Sequence, residues 1–282
     1  MITRRGFQLT FVAATLGLLL LPARAQDVQQ GSPKSATAST SEQSLSEAAD
    51  AGKYAFLLFH RTDDTKTQAL RTRASQQAKA LTDRASLVQV DIKDPAEAEL
   101  IKRFDVSRAP MPLVLAIAPT GAVTRHWFLD LDTIQLHEGF VSPGQARCLK
   151  ALQDGKVVLV CIQNKHTTDN ESAMTGVQTF MKDPHYASSA ATVKIDPADE
   201  REATLLQQLE VSPDTKQAVT VLMAPPASRL ATLEGATTKA AIVAAAKVKG
   251  CEPGSGCCPE PSETGADKAT KKKPKPAPPI DT

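Results

Sequence analysis

Three of the five cysteines crowd into one short segment, Cys251-Glu252-Pro253-Gly254-Ser255-Gly256-Cys257-Cys258. Three close thiolates can bind a soft metal such as Cu(I), or Zn(II) with one further ligand. They can equally close a local disulfide, Cys251 with Cys257 or Cys258, leaving one thiol for exchange or an intermolecular bridge. The spacing fits no standard zinc motif, and the Gly/Pro setting offers nothing to bury the sulfurs. Cys251, Cys257 and Cys258 are therefore candidate metal ligands and candidate disulfide partners, with the pairing open. Copper and zinc are the only cofactors the sequence suggests.

The other chemical groups are sparser. Cys148 and Cys161 lie in Leu/Ala and Val/Ile surroundings, where an inert core thiol is expected. His60 ends an apolar run and can line a pocket there; His166 has a comparable place later in the chain, and solvated strand ends are the plainer reading of both. Asp63-Asp64 reads as the N-terminal cap of a helix rather than a catalytic carboxylate pair. No phosphate-binding glycine loop and no nucleophile elbow is present, so no catalytic residue is assigned. The near-balanced net charge of +2 argues against nucleic acid as the main partner.

These residues need elements to hold them. Arg4-Arg5, the apolar run Phe7–Leu21 and the small-x-small site Ala23-Arg24-Ala25 read as a signal peptide over residues 1–25. Thr3-Arg4-Arg5-Gly6-Phe7-Gln8-Leu9 resembles the twin-arginine consensus. The mature chain is thus expected to be soluble and periplasmic or otherwise exported, with no transmembrane anchor. Residues 26–45 read as a flexible Gln/Ser/Thr-rich linker, with order beginning near Ser46. Lys53–His60 reads as a buried strand. Leu70, Ala74, Ala78 and Leu81 mark a helix, and Leu87–Asp91 a second strand. A short helix over 96–104, a strand from Leu113, the turn Pro119-Thr120-Gly121 and a return strand to Phe128 follow. Ser142-Pro143 opens a further helix that Gly155 ends. Residues 251–282 close the chain as a Cys-containing loop and a Pro/Lys tail.

The pattern then restarts. Lys156–Ile162 repeats the first strand, and Val193–Ser212 aligns without gaps to Val88–Ser107, with eight of twenty positions identical, Glu97/Glu202 and Asp94/Asp199 among them. A repeat of this length is a whole domain. The order strand–helix–strand–helix–hairpin–helix resembles the thioredoxin fold, twice over: an α/β chain with tandem thioredoxin-like domains at residues 46–155 and 156–250, each a small mixed sheet flanked by helices.

Phe104-Asp105-Val106-Ser107-Arg108-Ala109-Pro110 is similar to the cis-proline loop of thioredoxins, which pairs with extended substrate backbone. The resemblance implies that Pro110 is the cis-proline and that Ala109, Pro110, Met111 and His60 form a binding surface. It also exposes a departure. Thioredoxins place Cys-x-x-Cys at the start of the first long helix, where the helix N-terminus lowers the thiol pKa. Here that place holds Thr62, Asp63, Asp64 and Thr65, and the second domain has no cysteine in Asn164–Asn170. Its cis-proline slot falls near Thr215-Lys216. The expectation is a redox-inactive protein that binds a protein or peptide partner in the cell envelope, with thiol or metal handling through the C-terminal cysteines as the alternative.

Overall fold

The computed structural model describes residues 39–128 and 133–247. The chain is α/β and carries two tandem thioredoxin-like domains. The first contains α1 (Thr40–Asp50), β1 (Tyr54–His60), α2 (Thr65–Ala80), β2 (Ala85–Asp91), α3 (Ala98–Arg103), β3 (Leu113–Ile117) and β4 (Val123–Trp127). The second repeats the series with α4 (Pro143–Gln153), β5 (Val157–Ile162), α5 (Asn170–Lys182), β6 (Ala190–Ile195), α6 (Ala203–Gln208), β7 (Val219–Ala224) and β8 (Ser228–Glu234). It ends on α7 (Lys239–Lys247). The sheets run β2-β1-β3-β4 and β6-β5-β7-β8. In each, the central strand pairs in parallel with the strand after the long helix and antiparallel with the first hairpin strand. Both hairpins carry an irregularity at the same place, between Ala116 and Ile117 and between Leu222 and Met223.

The central strands are apolar throughout because both faces are covered. Phe56 and Leu58 face α2, while Ala55, Leu57 and Phe59 pack with α1 and α3 residues such as Leu45 and Leu100. In the second sheet Leu159 and Cys161 face α5 and α7, and Val158, Val160 and Ile162 face α4 and α6.

This division of faces shows what α4 does. Residues 46–155 were expected to form one unit, with this helix closing it. Cys148 and Leu152 instead sit in the core of the second sheet, so α4 holds the position there that α1 holds in the first domain. Ala146, on another side of α4, packs with Ala118 and Ala122 of the β3–β4 turn. Gln153 grips the edge of β4, accepting from Val123 N (2.9 Å) and donating to its carbonyl (2.6 Å). One helix is thus both the opening helix of the second domain and its mount on the first. The first domain closes without a final helix: Ile134, Leu136 and Phe140, around a 3-10 turn, cover the face that α7 covers in the second.

One helix start departs from the expectation and one meets it. Helix α1 begins at Thr40, inside the segment read as a linker. Ser39 caps it, and Ser41, Leu45 and Ala48 give even this polar stretch a buried stripe. At α4, Ser142 caps as expected, accepting from Gln145 N at 3.1 Å.

The duplication extends to details 105 residues apart. Asp94 and Asp199 cap the 3-10 turns before α3 and α6. Asp105 (φ 49°) and Glu210 (φ 57°) take the same left-handed turn after those helices. Glu97 and Glu202 are buried carboxylates. Glu97 accepts from Ser39 Oγ at 2.8 Å; Glu202 accepts from Ser142 Oγ and from Gly144 N at 2.8 Å. Each domain therefore ties the cap of its opening helix to a carboxylate from the turn after its second strand. Glycine at 144 permits this approach, since a Cβ there would lie 2.2 Å from Ile195 Cδ1 and 2.6 Å from Glu202 Oε2 and would displace both side chains.

Candidate functional site

The predicted binding residues of the first domain lie at the end of β1 and on the loop before β3. The loop after His60 is four residues long and enters α2 through Asp64, whose carboxylate accepts from Thr67 N at 2.8 Å. Thr62 Oγ1 donates to the same carboxylate at 2.9 Å, and Arg71 pairs with Asp63 at 2.9 Å. The Thr67 amide, then the Thr62 hydroxyl, hold the Asp64 carboxyl below its ordinary range. This is a sealed helix start. The two aspartates act as cap and ion-pair partner, and the four residues between β1 and α2 include no cysteine.

The facing loop runs from Asp105 to Pro112. Arg61 Nη2 donates to the Ser107 carbonyl at 3.2 Å and joins the two loops. Ala109 and Met111 pack against the cluster containing Leu57 and Phe59, and Phe104 meets the Phe59 ring edge-on at 6.4 Å. Pro110 is exposed, Met111 half-buried and Pro112 buried. The cis peptide is Met111–Pro112, not the bond before Pro110. Strand register distinguishes the two prolines: Leu113 pairs with Phe59 as the first residue of β3, so the proline directly before the strand is Pro112. Among the described residues, the backbone N–H and C=O of Met111 make no hydrogen bond. His60 is half-buried, and its Nδ1 is buried without a hydrogen-bond partner.

The corresponding place in the second domain is built differently. Pairing of Ile162 with Val219 sets Gln217-Ala218 opposite Met111-Pro112, two residues beyond the Thr215-Lys216 position expected from sequence. The loop before α5 is also longer than its counterpart, and its extra length folds inward. Thr168 N donates to the Lys216 carbonyl and Ala218 N donates to the Thr168 carbonyl, both at 2.9 Å. Thr168 thus lies as one residue of parallel strand against Gln217. Asn164, Thr167 and Asn170 stitch the loop through short side-chain hydrogen bonds. His166, which sequence placed alongside His60, lies exposed within it; its amide donates to Asn164 Oδ1 at 2.8 Å. Register sets Gln163, not His166, opposite His60. Sequence reasoning missed Thr168 because its role is carried by backbone groups, which any residue type has.

The two thiols among the described residues are shut away. Burial pushes the Cys148 thiol up to about 12 and the Cys161 thiol up to about 11, so neither is a thiolate at neutral pH. Cys251, Cys257 and Cys258 lie outside the described residues. No group of three or more His, Cys, Asp or Glu among the described residues is placed to hold a metal ion. No described helix is long and apolar enough to cross a membrane.

No protein-family profile matches the chain, and no curated protein does. Solved structures similar to it include human ERp44 in its zinc-bound form (9% identity over 75% of this chain, TM-score 0.31). The chain spans 60% of that protein's length. Others are the first two thioredoxin domains of Saccharomyces cerevisiae Eps1p (11% identity, 76% of this chain and 99% of that one, TM-score 0.27) and the N-terminal domain of Enterococcus faecalis alkylhydroperoxide reductase AhpF (13% identity, 72% and 96%, TM-score 0.24). At such distances the fold stands on strand order and register alone.

Proposed function

We propose that this is an exported, redox-inactive thioredoxin-like protein that binds an extended segment of another protein in the cell envelope. The Ala109–Pro112 loop of the first domain is the binding edge. The observation that carries this reading is the unpaired backbone of Met111 beside an entrance with no thiol. A free N–H and C=O at a loop edge can add one residue of β-pairing to an incoming chain, and half-buried Met111 with exposed Pro110 offers it an apolar shelf. Redox inactivity is supported by Asp64, which caps the helix start, and by the burial of Cys148 and Cys161. The second domain supports the fold but not the edge, because Thr168 lies as one residue of parallel strand against Gln217, the counterpart of Met111. Arg4-Arg5 and the apolar run after them support export.

The test is a crosslinking pull-down from the native envelope, comparing wild type with a Pro110→Gly/Met111→Asp variant. Loss of the principal partners, with Trp127 fluorescence unchanged, is expected. An identical partner list would place binding elsewhere.

A further inference from the structure

The geometry points to a second binding site: we propose that the cleft between the two domains takes a small organic anion carried on a flat, apolar body. It is independent of the Met111 edge. The cleft is about 630 Å³, within the range of small-molecule sites, which favour domain interfaces. Its shape is fixed by α4, which is mounted on both domains, and by Tyr54, whose hydroxyl donates to the Val141 carbonyl at 2.9 Å and accepts from Val141 N at 3.1 Å. Tyr54 and Phe140, edge-to-face at 4.8 Å, provide an apolar wall, and Ala146 adds to the opposite side.

Three guanidinium groups reach into this space, and their states differ. Arg84 lies 4.2 Å over the Phe140 ring and has neither a hydrogen bond nor an ion pair from its side chain among the described residues. The contact with the ring holds the guanidinium in place without using its N–H donors, which suits two-pronged binding of a carboxylate or phosphate. Arg147 of α4 is anchored through Nη2 to the Lys194 carbonyl at 3.2 Å, leaving its other donors free. Arg201 is already held by Asp199 at 2.7 Å and adds little net charge. Asp83 is the one acid lining the cleft; it sits beside Arg84 in sequence, and no ion pair joins the two. The free cations, Arg84 and Arg147, thus come from different domains and face a shared space with an aromatic wall. An anion there would be gripped from both sides.

The probes are benzoate and phenyl phosphate, with benzyl alcohol as the uncharged control and inorganic phosphate as the bodiless one. Each is titrated into the mature full-length protein and followed by amide chemical shifts. Saturable shifts at Arg84, Val141 and Arg147 are expected with at least one aromatic anion, stronger than with either control. Arg84→Gln and Arg147→Gln should each weaken binding about tenfold, the scale of one charge-assisted hydrogen bond. Arg84→Lys, which keeps charge but not the planar stack, should recover only part of it. Absence of saturable shifts up to about 10 mM would overturn the proposal. So would equal binding of benzyl alcohol or inorganic phosphate, or unchanged affinity in both Arg→Gln variants with the fold intact by circular dichroism.

Discussion

Removing the Glu202 carboxylate should unfasten the second domain from its opening helix, and the cost can be set against a built-in control. Glu202 is 4% exposed and accepts from the Ser142 hydroxyl and the Gly144 amide. A hydrogen bond to a charged group contributes about 1.5–3 kcal/mol, and a buried donor left unsatisfied costs about 1–3 kcal/mol. Gly144 is buried, so Glu202→Ala strands its amide; Ser142 is half-buried and still caps Gln145, so its hydroxyl suffers less. The sum is roughly 3 kcal/mol for Glu202→Ala. Glu97, the counterpart, accepts only from Ser39 Oγ among the described residues, so Glu97→Ala should cost less, about 1–2 kcal/mol. The assay is hydrogen exchange at β5 and β1 amides, which reads the two domains separately, with fluorescence of the sole tryptophan, Trp127, as a second report on the first domain. Glu202→Ala should accelerate β5 exchange by roughly a hundredfold under native conditions. A change below about threefold, or an equal effect from Glu97→Ala, would refute the claim that two hydrogen bonds to a buried carboxylate hold this joint.

Three further outcomes follow from the thiols. In a Cys251→Ser/Cys257→Ser/Cys258→Ser variant, Cys148 and Cys161 should resist a thiol reagent until denaturant is added; native-state reaction at unfolded rates would show that they are accessible. Because burial raises both folded pKa values above the unfolded value near 8.5, stability should be full below that pH and decline as pH rises toward about 11 and 12. A Cys148→Ala/Cys161→Ala variant should lose this part of the alkaline decline, measured by denaturation midpoints; an unchanged decline would contradict the assignment. The same serine variant should also leave insulin reduction at background, and activity above background would mean that a core thiol is reactive.

Much of this architecture is legible before any coordinates. Strands β1 and β5 announce themselves as apolar runs because both faces are covered, and Asp64 reads as a cap because a short acceptor before a helical stripe has few other uses. The matches of Glu97 with Glu202 and Asp94 with Asp199 mark the duplication, and the structure shows that they mark its fastenings too. What sequence does not resolve is allegiance and backbone. The stripe of α4 says that it is buried, not against which sheet. Pro110 and Pro112 stand two residues apart, and only the register of β3 on β1 distinguishes them. The first domain closes with a 3-10 turn instead of a helix, which leaves no periodic signal. Thr168 closes the second domain's edge through its amide and carbonyl, and no side-chain pattern reports that.

The central claim is that the first domain binds an extended partner chain at the Met111 edge and that the second, already paired with its own loop, does not. A photo-crosslinking residue placed at position 110, and separately at the corresponding position 216, tests it in the native envelope. The account predicts protein adducts from position 110 and none above background from position 216. Adducts from position 216 alone, or equally from both, would contradict it.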